Sequence, residues 1–522
     1  MSDQRRRGRP PGLVADPTPS DSPELDADVR AGWLLRSWRL ALAPESNARS
    51  FAATLTMLGR SADASRVSRW ETGRLVAPFD VIAAYEEALG VPRGALVALT
   101  ILTRKLSHPR GDLAEVLDPR HVDVHRYQVA LDVAVDDHPS GGDWLDIASF
   151  VATHPEQAVL PTSVWRQLAG RLVHELGIAV GAAYATRSQA ALLLSLHERA
   201  RHAIVVAVGE RVTENDSRIV SDAISLLQQM SDRRAGNLVI RLLGDPEEAT
   251  RNAAIWAAAA KLSRGHFDAD QLADLERSVV ALARRHGLDT GGLFGRLSDL
   301  LEVLPPEIAE RVRRAAPHLP AQAARPTTPT TRPRSLVAGM ARSIARPEGQ
   351  PEEPMLERLV EEVLTHKVAE RRFQAALSIT LSPYRARVAR GAARLLREGS
   401  PSDPVLAERV LVLLTAVATD AERETMRAFA EDPSSPHHLG ALVALAHIPP
   451  SGVRVPVDLW PLRSPGEVEP ETLRAAVYYA GMTGDPVLEQ LVDDPGQEPW
   501  VRSAARWWLR EGPAIHEQPP LV

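Results

Sequence analysis

An arginine followed two and three positions later by paired alanines recurs along this chain, and it limits how the chain can bury itself. "DPEEATRNAAIWAAAA" from Asp245, "VARGAARLL" from Val388 and "DPGQEPWVRSAARWWL" from Asp494 carry the pattern most clearly. "RRFQAAL" at Arg371 and "TLRAAVYYAG" at Thr472 are looser relatives. Asp-Pro suits a helix start, because a first-turn proline gives up an N–H that has no intrahelical partner. Alanine favours the helix and leaves room for a second helix to come close. After Leu106 the chain is a long series of Ala/Leu-rich helical segments, broken at "DDHPSGGD", "GDPEE" and "RHGLDTGG". Only 4% of residues are aromatic, so the core must come from small aliphatic side chains on many helices. The expected fold class is all-α, helix stacked on helix.

These segments resemble HEAT-like repeats, which implies a large α-solenoid-like body in two parts, with extended concave surfaces better suited to binding than to catalysis. The Pro/Thr-rich stretch over 317–335 reads as a linker between a middle helical domain (107–316) and a C-terminal HEAT-like domain (336–515).

Residues 29–106 are punctuated differently. Five short helical patterns run from about Val29 to Leu42, Arg49 to Leu58, Ala64 to Thr72, Pro78 to Leu89 and Pro92 to Lys105. Asn47 and Asp63 suit N-caps, Gly73 and Gly90 suit the left-handed position after a helix, and Pro78 and Pro92 suit first turns. Phe51, Leu55 and Leu58 form one apolar face of the second pattern. Val67 and Trp70 turn the third inward and leave the rest of it facing out.

"SRVSRWETGRLVAPFDVIAAYEEALGV", Ser65 to Val91, resembles the Cro/repressor (XRE) helix-turn-helix family. The resemblance implies that the helix carrying Val-Ser-x-Trp-Glu-x-Gly lies in the major groove of double-stranded DNA. It places Ala64, Ser65, Arg66, Ser68 and Arg69 at base edges or phosphates. Arginine can pair bidentately with guanine O6 and N7. In the family the glutamate after the tryptophan pairs with a first-helix arginine, which here makes Arg39 a structural partner of Glu71. "TLTMLGRSADAS" is several residues longer than the family's usual turn and leaves the docking angle open. It adds Arg60 and Ser61, with Arg74 beyond the helix, as phosphate-contact candidates.

The chain carries a net charge of −6, yet residues 30–75 hold eight arginines against Glu45, Asp63 and Glu71, a local excess that suits a polyanion. Ahead of it, residues 1–28 read as a disordered basic arm and a flexible acidic linker. The arm's "RRRGRPPG" resembles an AT-hook. That resemblance implies Arg5, Arg6, Arg7 and Arg9 in a narrow A·T minor groove, with Gly8 lying flat and Pro10 extending the backbone. The alternative is a nonspecific basic tail.

Catalytic chemistry finds no motif: there is no G-x-x-x-x-G-K-[ST], H-E-x-x-H or G-x-S-x-G. Zero cysteines remove disulfides and thiolate sites and fit a reducing compartment. His121, Asp123 and His125, with Asp136, Asp137 and His138, form a weak histidine cluster, as do His437 and His438. No metal and no cofactor is expected. Trp507–Trp508 and Tyr478–Tyr479 read as core or interface. No apolar run is long enough for a membrane span and no signal peptide is evident, so the expectation is a cytoplasmic, nucleoid-associated protein. Together these features point to a sequence-specific transcriptional regulator, not an enzyme. It would dimerise through its helical body, since so small a head has little spare apolar surface, and the body would bind a protein or small-molecule effector. The alternative is a DNA-tethered repeat scaffold whose main role is protein binding.

Overall fold

The computed structural model describes residues 13–19, 22, 24–107, 123–213, 221–285, 297, 300–317, 334–347, 350–399, 403–450, 457–463, 468–517 and 519–521. Among these residues the fold is all-α: helix follows helix from Ala27 to Glu511, and the strands are two short pieces, Ala179–Val180 and Ile515–His516. The Pro/Thr linker falls almost wholly outside the described residues, as does the basic arm with Arg5, Arg6, Arg7, Gly8, Arg9 and Pro10.

The recurring arginine and small residues have a local physical role. Arg251 donates from Nη1 to the carbonyls of Asp245 (2.9 Å) and Pro246 (3.0 Å), the start of its own connection. Arg372 repeats this on His366 (2.7 Å) and Lys367 (3.0 Å), and Arg201 on Ser195 (3.1 Å). Each guanidinium bonds carbonyls in the turn before its helix and so ties that connection to the helix it leads into. The small residues allow close approach. At Gly391 in "RGAA", an added Cβ would lie 2.2 Å from the carbonyl oxygen of Ile344, on the helix Arg334–Ala345. Gly391→Ala is therefore expected to destabilise the protein by about 1–3 kcal/mol. An unchanged denaturation midpoint would contradict this contact.

Neighbouring helices pack in sequence, as in a stack, but the far end of the chain folds back. Ile515 and His516 pair in parallel with Ala179 and Val180. Glu517 accepts from Arg187 Nη1 (2.9 Å), and Glu511 from Arg211 Nη1 (2.9 Å). Burial alone would push the Glu511 carboxyl up, but His174, Arg211 and Arg510 hold it below the usual carboxylate range. A carboxyl lowered in the folded state stabilises it above the ordinary value of 4.5 and loses that contribution as pH falls. Glu511→Gln should therefore flatten the acid limb of the stability profile, and an unchanged limb would exclude this clasp as its source.

The N-terminal five helices are α1 (Ala27–Leu42), α2 (Ala48–Met57), α3 (Ala64–Trp70), α4 (Phe79–Leu89) and α5 (Ala95–Ser107). Asp26, Asn47 and Asp63 cap α1, α2 and α3 through side-chain acceptors. Gly73 and Gly90 take positive φ, at 68° and 64°. Helix α5 starts at Ala95 instead of Pro92, because Gly94 takes φ 83° and the buried Glu86 carboxylate accepts the N–H groups of Gly94, Leu96 and Val97.

This head is not loosely tethered. Arg30 on α1, 4% exposed, donates from Nη1 and Nη2 to Glu362 (2.9 and 2.6 Å), on the helix Pro354–Thr365. Its Nε reaches Asp16 (2.7 Å). Trp38 Nε1 donates to the Leu381 carbonyl (2.8 Å), and Trp33 stacks on Tyr384 with centroids 5.9 Å apart. The acidic segment expected to be a flexible linker is packed here: Val14 and Asp16 are buried, and Arg358 donates to the carbonyls of Thr18 (2.6 Å) and Pro19 (2.8 Å). Composition indicated disorder because it counts apolar residues. What holds this segment is a buried arginine some distance along the chain.

Candidate nucleic-acid interface

Helix α3 divides its residues cleanly. Val67 (0% exposed) and Trp70 (4%) enter the core, while Ser65, Arg66, Ser68 and Arg69 face solvent and Ala64 is half-buried. Burying such side chains contributes roughly 1.5–3 kcal/mol each, so the apolar pair fixes which face of α3 looks outward.

Three further contacts fix its angle. A Cβ at Gly32 on α1 would lie 2.3 Å from the Trp70 carbonyl oxygen, and one at Gly73 would lie 2.5 Å from Val29 Cα. The end of α3 therefore sits directly on the α1 backbone. Glu71 accepts from Arg39 Nε and Nη2 (2.6 Å each) and from the Tyr85 hydroxyl (3.1 Å). Burial would lower the Arg39 guanidinium, but Glu71 raises it above its ordinary value; burial and Glu71 both drive the Tyr85 phenol up. The three groups join α1, α3 and α4 in one buried clasp.

Between α2 and α3 the chain makes a left-handed exit at Gly59 (φ 78°). Gly59 N–H donates to the Thr56 carbonyl (3.0 Å) and Arg60 N–H to the Leu55 carbonyl (2.9 Å), a Schellman ending that accounts for the extra turn length. Arg60 then pairs with Asp80 (3.1 Å) and is half-buried. Exposed Ser61 accepts from Arg66 Nη1 through its carbonyl (3.0 Å), and Arg66 also lies 3.8 Å from Asp63. Arg69 and Arg74 are exposed, with no side-chain hydrogen bond or ion pair among the described residues.

The arginine count of the sequence overstates the outward charge. Arg30 and Arg39 are buried in ion pairs, Arg60 is committed to Asp80 and Arg36 is half-buried on α1, which leaves Arg49, Arg66, Arg69 and Arg74 exposed. Arg49, at the start of α2, was not singled out from the sequence, although the charge count included it.

Among the described residues the histidine clusters are not brought together as ligands. Asp123 caps the helix Val124–Asp136 by accepting the His125 N–H (2.8 Å), and His121 lies outside the described residues. His437 meets the Phe429 ring edge-on, and His438 Nε2 lies 3.1 Å from the Thr472 hydroxyl. No group of three His, Asp or Glu side chains among the described residues is placed to hold a metal. Trp507, Trp508 and Tyr479 are buried, while the Tyr478 hydroxyl lies 2.7 Å from His447 Nε2. No described helix is long and apolar enough to cross a membrane. No protein-family model matches the chain, and no curated protein matches it.

Proposed function

We propose that this protein is a sequence-specific DNA-binding transcriptional regulator that reads the major groove with α3. The observation that carries the reading is the division of α3: its apolar pair anchors a rigid clasp, while Ser65, Arg66, Ser68 and Arg69 stand outward together. A base-reading helix needs that combination, since bidentate arginine contacts depend on a fixed helix angle. The resemblance of Ser65–Val91 to the XRE family supports the same reading. Ser61 and Arg74 supply phosphate contacts at the two ends of α3, and Arg60 joins them only by leaving Asp80. The Arg5–Pro10 arm extends the footprint into an A·T minor groove. The protein works as a homodimer joined through its helical body, where Trp256 stands 49% exposed. It is cytoplasmic and nucleoid-associated, and it has no catalytic role.

Genome-wide mapping of binding sites, with transcript levels measured in a deletion strain, tests this reading. Discrete promoter sites with A·T-rich flanks and altered transcription of the adjoining genes are expected. Broad occupancy without transcriptional effect would replace the regulator with a DNA-tethered scaffold.

A further inference from the structure

We propose that the cavity where α5 meets the body is the binding site of a small amphipathic monocarboxylate with an apolar or aromatic frame. Its regulatory consequence rests on the DNA-binding reading above, but its chemistry does not. The cavity holds about 280 Å³, near the small end of ligand pockets, which start at about 300 Å³. Three parts of the chain wall it: the end of α5, the helix Ala182–Leu194 with its neighbour Ser221–Gln229, and the helix Ala369–Thr380.

Most of the lining is apolar, with Leu102, Leu192, Met230 and Phe373 forming the walls. Phe373, 44% exposed, meets Tyr184 edge-on at 5.7 Å. A flat hydrocarbon frame suits such a slot. Two polar features then select what the frame must carry. Gln189 is 5% exposed, and its Oε1 is buried without a hydrogen-bond partner, an arrangement that costs free energy until a donor arrives. Lys105 also lines the cavity, and its Nζ donates to Gln229 Oε1, a neutral acceptor. The nearby Arg264 is already bonded to Glu370 (2.9 Å). An ammonium held by an amide in an apolar cavity is compensated only in part by the nearby Glu370 carboxylate, which is itself bonded to Arg264, and burial with Arg264 pulls the ammonium down to about 7. A ligand carboxylate supplies the missing charge.

Lysine occurs only at Lys105, Lys261 and Lys367 in a chain with 61 basic residues, and Lys105 lines the cavity. Lys261 lies outside the lining, is fully buried and holds the carbonyls of Leu227 (3.2 Å) and of the lining residue Met230.

Occupancy reaches the head directly through α5, which lines the cavity, and through one helix of the body. Ala369–Thr380 presents Glu370 and Phe373 to the cavity. It also carries Gln374, which accepts from Arg30 Nη1 (3.0 Å) and donates to the Thr103 hydroxyl (3.0 Å). A ligand that moves this helix moves the contacts holding α1 and α5.

The test is calorimetric titration of the full-length protein with para-hydroxybenzoate, which has the frame, the carboxylate and a donor for Gln189, against para-hydroxybenzamide. The acid should bind saturably and at least about tenfold more tightly than the amide. Lys105→Met should remove that preference. Gln229→Leu, which frees Lys105 from its internal partner, should bind the acid at least as tightly as the wild type. Melting midpoints of both variants check folding, and if Lys105→Met does not fold, the acid-to-amide ratio and Gln229→Leu decide. No saturable binding up to about millimolar acid, equal binding of acid and amide, or weakened binding in Gln229→Leu would overturn the proposal. These readouts need no DNA, so acid binding without DNA binding would sink the regulator reading and leave the pocket standing.

Discussion

Glu362→Leu is expected to destabilise the full-length protein by about 3–5 kcal/mol, seen as an earlier first transition in urea unfolding. Three guanidiniums converge on this one carboxylate: Arg30 through two bonds, Arg358 Nε at 2.7 Å and Arg371 Nη2 at 3.1 Å. The Glu362 side chain is fully buried, and those of Arg30 and Arg371 are each 3% exposed. Removing the carboxylate leaves like charges facing one another without water, a larger penalty than the loss of an exposed pair. Leucine also cannot accept the bonds that join α1 to the helix Pro354–Thr365, so the head should separate from the body before the body unfolds. Glu362→Gln keeps one acceptor and should fall between. A Glu362→Leu change under about 1 kcal/mol would show that the cluster does not hold the two together.

On the DNA side, Arg69→Ala is expected to weaken binding to the preferred site by about 1–3 kcal/mol and to relax preference at one base pair, as measured by fluorescence anisotropy on single-substitution sites. Arg69 is exposed and has no internal partner among the described residues, so its removal should not change stability. Arg66 is bonded to Ser61 and must leave that contact to reach a base, which makes Arg66→Ala the smaller effect. Weakening spread evenly over all sequences would make Arg69 a phosphate contact, and no weakening would remove it from the interface.

Much of the head was legible because its signals are local. Asn47 and Asp63 accept bonds from N–H groups two or three residues away, and Gly73 and Gly90 are needed where the backbone turns left-handed. Val67 and Trp70 follow helical spacing, and the Arg39–Glu71 pair was implied by the family resemblance. The contacts that sequence reasoning missed join distant positions. Arg30, counted as part of a DNA-facing charge excess, is bound to Glu362 and Asp16, and no periodicity marks that pairing. The acidic segment at 13–19 has linker composition, yet it is held by Arg30 and Arg358. The cavity beside Lys105 is likewise invisible in the sequence, because its walls come from α5, Ala182–Leu194 and Ala369–Thr380. The scarcity of lysine was the one available signal, and it reads equally well as coding bias.

The central claim, that α3 reads DNA sequence, is tested most directly by selecting bound duplexes from a randomised pool with the wild-type protein and with Arg66→Ala/Arg69→Ala. The wild type should enrich a two-fold symmetric motif with half-sites about one helical turn apart, and the double variant should lose its central base preferences. A pool that stays random with the wild type, or the same motif recovered by both proteins, would contradict it.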